Sequence, residues 1–316
     1  MATSQEALHL GDVVAVQGKI GRNPGVGAIA YVDVRVALQG RVQDADEARG
    51  TFRVLGQTVR VSPGTYAGSG TAAFSIDKVR AGEMVAVSGF MQADGAWMAT
   101  RVEPLRKPIV NEFIVRGGVA AVDRDKGAVT LGTQSFMIAP AGLSADIRRG
   151  TMVRIAGFYD NDQVVVTTIR HESPLATAAG RLIEMSGYVQ ALSGAGEART
   201  NEVTLRYNAT TLVVNGQARD LQPNMPVAVR GELNADGSIA VHEMVINVDP
   251  REVVLPEPEP ASRQSGTREH QDQAGKEKPE TEQPEVDRSE VEKPEIEKPD
   301  IERPEFERPE LPSIEQ

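Results

Sequence analysis

The chain has 316 residues, no cysteine, 30 glycines, 4% aromatic residues and a single tryptophan, Trp97. The lack of cysteine excludes disulfides, thiolate catalysis and cysteine-ligated zinc; it leaves the compartment open, because exported bacterial proteins often lack cysteine too. The net charge of -11 is localised: residues 251–316 carry 20 acids against 10 bases, so residues 1–250 keep 25 acids against 24 bases. A neutral body lacks the electrostatic footprint of a protein that displaces counterions from nucleic acid. No run approaches 18 apolar residues, and no basic-then-apolar leader precedes Leu8.

In chain order, one phrase recurs four times: "LHLGDVVAVQG", "VRAGEMVAVSG", "IRRGTMVRIAG" and "LQPNMPVAVRG". Each reduces to apolar-x-x-Gly/Asn-x-x-Val-x-Val/Ile-x-Gly. The alternating β-branched pairs are Val14 and Val16, Val85 and Val87, Val153 and Ile155, and Val227 and Val229. They point to one face of a half-buried strand. The leading small residue, Gly11, Gly82, Gly150 or Asn224, suits a turn with positive φ. The closing glycines, Gly18, Gly89, Gly157 and Gly231, predict a bulge or sharp bend inside the strand, of the kind that a small barrel needs at its corners. Turn signals follow each copy, at Asn23, Asp94-Gly95, Asp160 and Asp236-Gly237, and a further strand-like run comes after each.

The closing glycines are spaced by 71, 68 and 74 positions (89-18, 157-89, 231-157). A second phrase alternates with the first: "LQGRV" at Leu38, "VRGGV" at Val115 and "MSGYV" at Met185. One period then holds about five short strands and no helix longer than a turn or two, which describes a small barrel of the oligonucleotide/oligosaccharide-binding (OB) type. The expected fold is all-β: tandem small five-stranded OB-like barrels followed by a disordered Pro/Glu-rich tail. The boundaries read as a half repeat over 1–37, barrel repeats over 38–108, 109–176 and 177–250, and the tail over 251–316. Residues 1–37 are the second half of a unit. Either a first half lies upstream of Met1, the favoured reading, or half-units pair in the other phase. In the tail, seven five-residue words run from Glu277, with proline in six of them. Proline rules out an α-helix, and one apolar residue per word cannot offset ordering costs of about 1–2 kcal/mol per residue. The expectation is an extended acidic spacer with a reach on the order of 110 Å.

The runs "LQGRVQDADEARGTFRVLGQTVRV" and "VRAGEMVAVSGFMQADGAWMATRVE" resemble the bacterial domain-of-unknown-function 5666 family. The resemblance spans Leu38 to about Val248 with the opening half-unit. It is close for the unit ending near Glu103 and looser for the last, where Asn224 and Pro226 depart from the pattern. It implies tandem small β-barrels and export, and it brings no catalytic residues.

Other candidates have plainer readings. "DRDKG" at Asp123–Gly127 and "DND" at Asp160–Asp162 open like calcium loops but lack the distal Glu, and they fall where hairpin turns are due. His9, His171, His242 and His270 show no metal spacing; His171 and His242 are expected exposed at strand ends. "GSGTAA" from Gly68 has no surrounding β-α-β unit and reads as a connection. Phe90, Trp97, Phe158 and Tyr159, with Arg101, Arg106, Lys107, Arg148, Arg149 and Arg154, can be arranged as a stacking groove for single-stranded nucleic acid. The plainer reading makes the aromatics core or junction residues. Met84 and Met152 read as packing between units. No catalytic, cofactor or metal site is expected. The expected function is a non-enzymatic exported binding or scaffolding module with a spacer tail, its partner a protein or a cell-envelope polymer. The competing reading is a cytosolic nucleic-acid-binding barrel array.

Overall fold

The computed structural model describes residues 8–20, 27–68, 70–105, 111–139, 142–172, 179–194 and 196–247. All of these belong to one compact body, Met1–Pro260. The expected spacer over 251–316, His270, Arg106 and Lys107 lie outside the described residues.

Among the described residues nineteen strands follow one another. A hairpin, β1 (Val14–Ile20) and β2 (Gly27–Val34), comes first. The first unit holds β3 (Leu38–Asp46), β4 (Thr51–Val54), β5 (Gln57–Arg60), the short β6 (Tyr66–Ala67), β7 (Met84–Met91) and β8 (Trp97–Pro104). The middle unit holds β9 (Glu112–Asp123), β10 (Ala128–Leu131), β11 (Gln134–Met137), β12 (Met152–Asp160) and β13 (Gln163–His171). The last holds β14 (Leu182–Leu192), β15 (Glu197–Thr200), β16 (Val203–Arg206), β17 (Leu212–Val214), β18 (Pro226–Leu233) and β19 (Ile239–Ile246). The described helical turns are two three-residue 3-10 turns, Ile76–Lys78 and Ala218–Asp220.

Two units close into five-stranded barrels. In the first, the ladder runs β3-β4-β5-β8-β7 and returns to β3, sealed by a parallel contact in which Val59 faces Trp97 and Arg60 faces Met98. In the last it runs β14-β15-β16-β19-β18 and back, sealed where Leu205 faces Ile239. Closure removes the free edges that a small sheet would otherwise expose.

The middle unit departs from the expectation of three complete barrels. Its five strands are present, but among the described residues β11 pairs with β10 alone and β13 with β12 alone, so the ring stays open. The hairpin explains why. Gly89 pairs with Ala99 and Gly231 with Val241, ten positions on in both cases, whereas Gly157 pairs with Val166, nine on. The two-residue turn at Asn161 and Asp162 (φ 45° and 70°) replaces the longer loops of the closed units. Where those units set buried Trp97 and Ile239 into the gap, the middle unit has Val164, only partly buried.

The repeated phrase has the same backbone in each copy. The leading position takes positive φ throughout: Gly11 85°, Gly82 87°, Gly150 84° and Asn224 68°. Asparagine tolerates this left-handed region better than most side chains, so the departure at Asn224 leaves the turn intact. At each closing glycine the ladder slips by one residue, between Gln17/Gly18, Ser88/Gly89, Ala156/Gly157 and Arg230/Gly231. A carbonyl of the facing strand then fills the space of a Cβ: Ala28 O lies 2.6 Å from it at Gly18, and Met98 O, Val165 O and Ala240 O lie nearer still at the other three. Glycine is needed here for close approach rather than for an unusual φ.

The first and middle units share one hydrophobic core, which runs from Ala37 to Tyr159. Their first strands pair antiparallel, Leu38 with Val115 and Gln39 with Ile114. Tyr159 clasps the join: its hydroxyl accepts the Arg41 N–H at 3.0 Å, and its ring packs edge-on to Phe113 at 5.7 Å. The last unit has a separate core built around Leu205, Val227, Val229 and Met244.

Candidate binding cleft

An open cleft of about 790 Å³ lies between the opening hairpin and the last unit, with the first and middle units as its floor. One wall is β1, where every residue from Val13 to Lys19 takes part. The opposite wall is the start of β14, where every residue from Arg181 to Ser186 does. Phe90, Met91 and Met152 supply an apolar floor. Phe90 also meets Tyr188 edge-on at 6.4 Å, and the Ala93 N–H donates to Asn224 Oδ1 at 2.8 Å; these two contacts join the last unit to the first.

At one end of the cleft Glu172 receives two guanidiniums, Arg35 at 3.2 Å and Arg116 at 3.1 Å. Burial pushes the Arg116 pKa down; Glu172 opposes that shift, while Arg35 and Arg154 add to it. Arg116 remains a cation, because a guanidinium starts so high that such shifts leave it protonated. At the other end burial pushes the Glu202 carboxyl up against the opposing pull of Arg199, and the Glu202 N–H donates to Gln190 Oε1 at 3.0 Å. The hairpin itself is tethered by Thr100, whose hydroxyl donates to Gly11 O at 2.6 Å, and by Asp12, 3.5 Å from Arg101 Nε.

The residues singled out from the sequence do not form one site. Gly18 and Gly89 border the cleft, whereas Gly157 and Gly231 do not. Of the four aromatics, Trp97 and Tyr159 are buried, Phe90 is half-buried on Tyr188, and Phe158 is exposed on its own. Trp97 and Tyr159 thus take the core and junction places of the plainer reading, while Phe90 and Phe158 keep exposed surface and lie on different strands, β7 and β12. Arg101 is 2% exposed and held by Asp12 and Glu103. Arg148 and Arg149 are exposed on a turn, and Arg154 is half-buried on β12.

The acidic motifs are occupied by turn chemistry. Asp123 Oδ1 accepts the Lys126 N–H at 3.0 Å, and Asp162 pairs with Arg41. Among the described residues no three His, Asp or Glu side chains group as a metal site. His9 lies 3.7 Å from Asp12, and His171 lies 3.4 Å from Asp146 at the end of β13. His242 is exposed within β19 rather than at its end. The described part of "GSGTAA" closes a small turn in which the Ala67 N–H donates to Ala72 O at 2.8 Å. Met84 and Met152 are half-buried against the shared core. The Arg35–Glu172–Arg116 group escaped the sequence reading. Its members come from two connections and a strand, and no spacing links them.

The architecture defines a tandem array of small OB-like β-barrels. Residues 39–103 and 186–240 match the family described as Domain of unknown function (DUF5666), the family that the sequence resembles. The first stretch spans nearly all of the first closed barrel and the second runs from within β14 to the start of β19 in the last one, so the last unit, read as the looser one, is matched in large part, and the matched residues leave out the open middle unit. No curated protein matches the chain.

Proposed function

We propose that the chain is a non-enzymatic, exported binding or scaffolding protein that holds a partner, a protein or a cell-envelope polymer, in the cleft between β1 and β14. The observation that carries this reading is the cleft itself: an apolar-floored opening walled by two strands, in a body whose other buried charges are tied up in ion pairs such as Arg101 with Asp12 and Arg230 with Glu243. Its volume is within the range of sites that bind by shape with a few polar groups. The family resemblance supports export, and the acidic Pro-rich segment suits a spacer or tether.

Mass spectrometry of the native N-terminal peptide from cytoplasmic and periplasmic fractions tests the export half. A processed terminus in the periplasmic fraction is expected; an unprocessed Met1 or Ala2 in the cytoplasm overturns it. Titration with single-stranded DNA and RNA at low salt tests the binding half. The expected result is no shift, and a salt-dependent shift would install the nucleic-acid reading instead.

A further inference from the structure

In each of the three barrel units, closed or open, the phrase strand pairs with the first strand of its own unit, always in one register. Val85 faces Gly40 and Val87 faces Leu38; Val153 faces Gly117 and Ile155 faces Val115; Val227 faces Gly187 and Val229 faces Met185. The second phrase thus sets its glycine against the first β-branched residue and its leading apolar residue against the next. In the paired strand both valines face the core, and Val85 and Val87 are 2% and 0% exposed. The corresponding Val14 and Val16 on β1 are 41% and 54% exposed, and β1 has β2 as its sole strand partner among the described residues.

The opposite wall is short of a strand too. β3 pairs on one edge with β7 and on the other with β9, a first strand meeting a first strand. From Leu182 to Tyr188, β14 pairs on one edge with β18; β15 joins its other edge only from Val189 onward. The order β7-β3-β9 of the first and middle units therefore has a counterpart, β1-gap-β14, and the gap is the cleft. Leu182, at its rim, is exposed.

We propose that the cleft accepts one extended segment of a partner polypeptide as an antiparallel strand. The segment carries the pattern apolar-x-Gly-x-apolar, its glycine opposite Val14 and its first apolar residue opposite Val16, and its far edge lies along β14. Main-chain hydrogen bonds supply the attachment and the covered valines fix the register. The occupant comes from outside the described strands, because β3, β9 and β14 are each committed to their own units. This inference rests on the reading of the protein as a binding module.

A synthetic peptide with the sequence of residues 37–46, added to the full chain, tests it by hydrogen exchange and sedimentation velocity. The expected result is saturable binding that slows exchange about tenfold or more in both Val13–Lys19 and Arg181–Ser186 of a monomeric chain. Val16→Asp, at an exposed position, abolishes the slowing without unfolding the barrels, and a peptide carrying Gly40→Val fails to bind. Unchanged exchange in β1 at saturating peptide overturns the proposal, as does binding by the Gly40→Val peptide. Slowing in the absence of peptide that grows with chain concentration overturns it in favour of pairing between two copies. Export and nucleic-acid titration are read separately, so failure here leaves the module reading to be judged by those experiments.

Discussion

The first and last units have the same ring of five strands, sealed by the same parallel contact, yet they obtain their cores differently. The last unit encloses its own cluster around Leu205 and Met244. The first runs without a break into the middle unit through the β3–β9 pairing and the Tyr159 clasp. A unit of about 60 residues hides only around 60% of its unfolded surface, so a modest core is its usual limitation. Fusing two cores relieves that limit and lets the middle unit survive with an open ring. One repeat sequence thus builds either a self-contained barrel or half of a double one, according to what packs against its first strand.

Trp97, the sole tryptophan, lies in the first barrel and reports on the fused pair alone, while far-UV circular dichroism reports on every strand. Urea unfolding followed by both probes should separate two transitions. The largest effects belong to the bulge glycines. Gly89→Val should cost more than about 4 kcal/mol and remove the tryptophan-detected transition, because a side chain there meets the Met98 carbonyl. Gly231→Val should do the same to the other transition and leave Trp97 untouched. Equal shifts of both transitions in either variant would mean that the last unit and the fused pair unfold as one cooperative body.

Leu205→Ala comes next. Leu205 is fully buried in the last core, and its truncation should cost about 3 kcal/mol, visible by circular dichroism but not by tryptophan fluorescence. Tyr159→Phe should cost about 1–2 kcal/mol, since the Arg41 N–H loses its acceptor in a half-buried place. Although Tyr159 belongs to the middle unit, the Trp97 signal should move with it; a fixed signal would show that the two units unfold separately.

The smallest effect is electrostatic. Burial holds the Glu202 pKa above its ordinary value of 4.5. The folded state therefore binds this proton more tightly than the unfolded chain does, and the last barrel loses stability as pH rises through the native pKa. Glu202→Gln should raise the unfolding free energy of the last barrel at pH 7, followed by circular dichroism, by less than about 1 kcal/mol, and the advantage should vanish as pH falls below 4.5. An advantage that is the same at both ends would remove burial as the cause.

Much of the fold was legible because its signals are local. A leading Gly or Asn, two alternating β-branched residues and a closing glycine specify a turn, a strand face and a bulge, each within eleven positions. For Trp97 and Tyr159 the plainer reading as core or junction residues holds, but their partners, and those of Arg101, were not legible. Trp97 fills the seam of one barrel, Tyr159 bridges two units that lie 118 residues apart at its contact with Arg41, and Arg101 is buried by Asp12 of the opening hairpin. An aromatic or basic residue looks the same in sequence whether a base, a core or a carboxylate waits opposite it. The cleft was illegible for the same reason, since its walls are separated by some 160 residues of chain.

The sequence by itself determined the repeat, the all-β class and the positions that only glycine can hold, because these depend on neighbours along the chain and on backbone sterics. The tertiary structure decided which rings close, that the first and middle units share a core, and that β1 and β14 face each other across an unfilled gap. Those outcomes turn on one residue of hairpin length and on pairings between strands of different units, where the free energy comes from surfaces that meet only after the chain has folded.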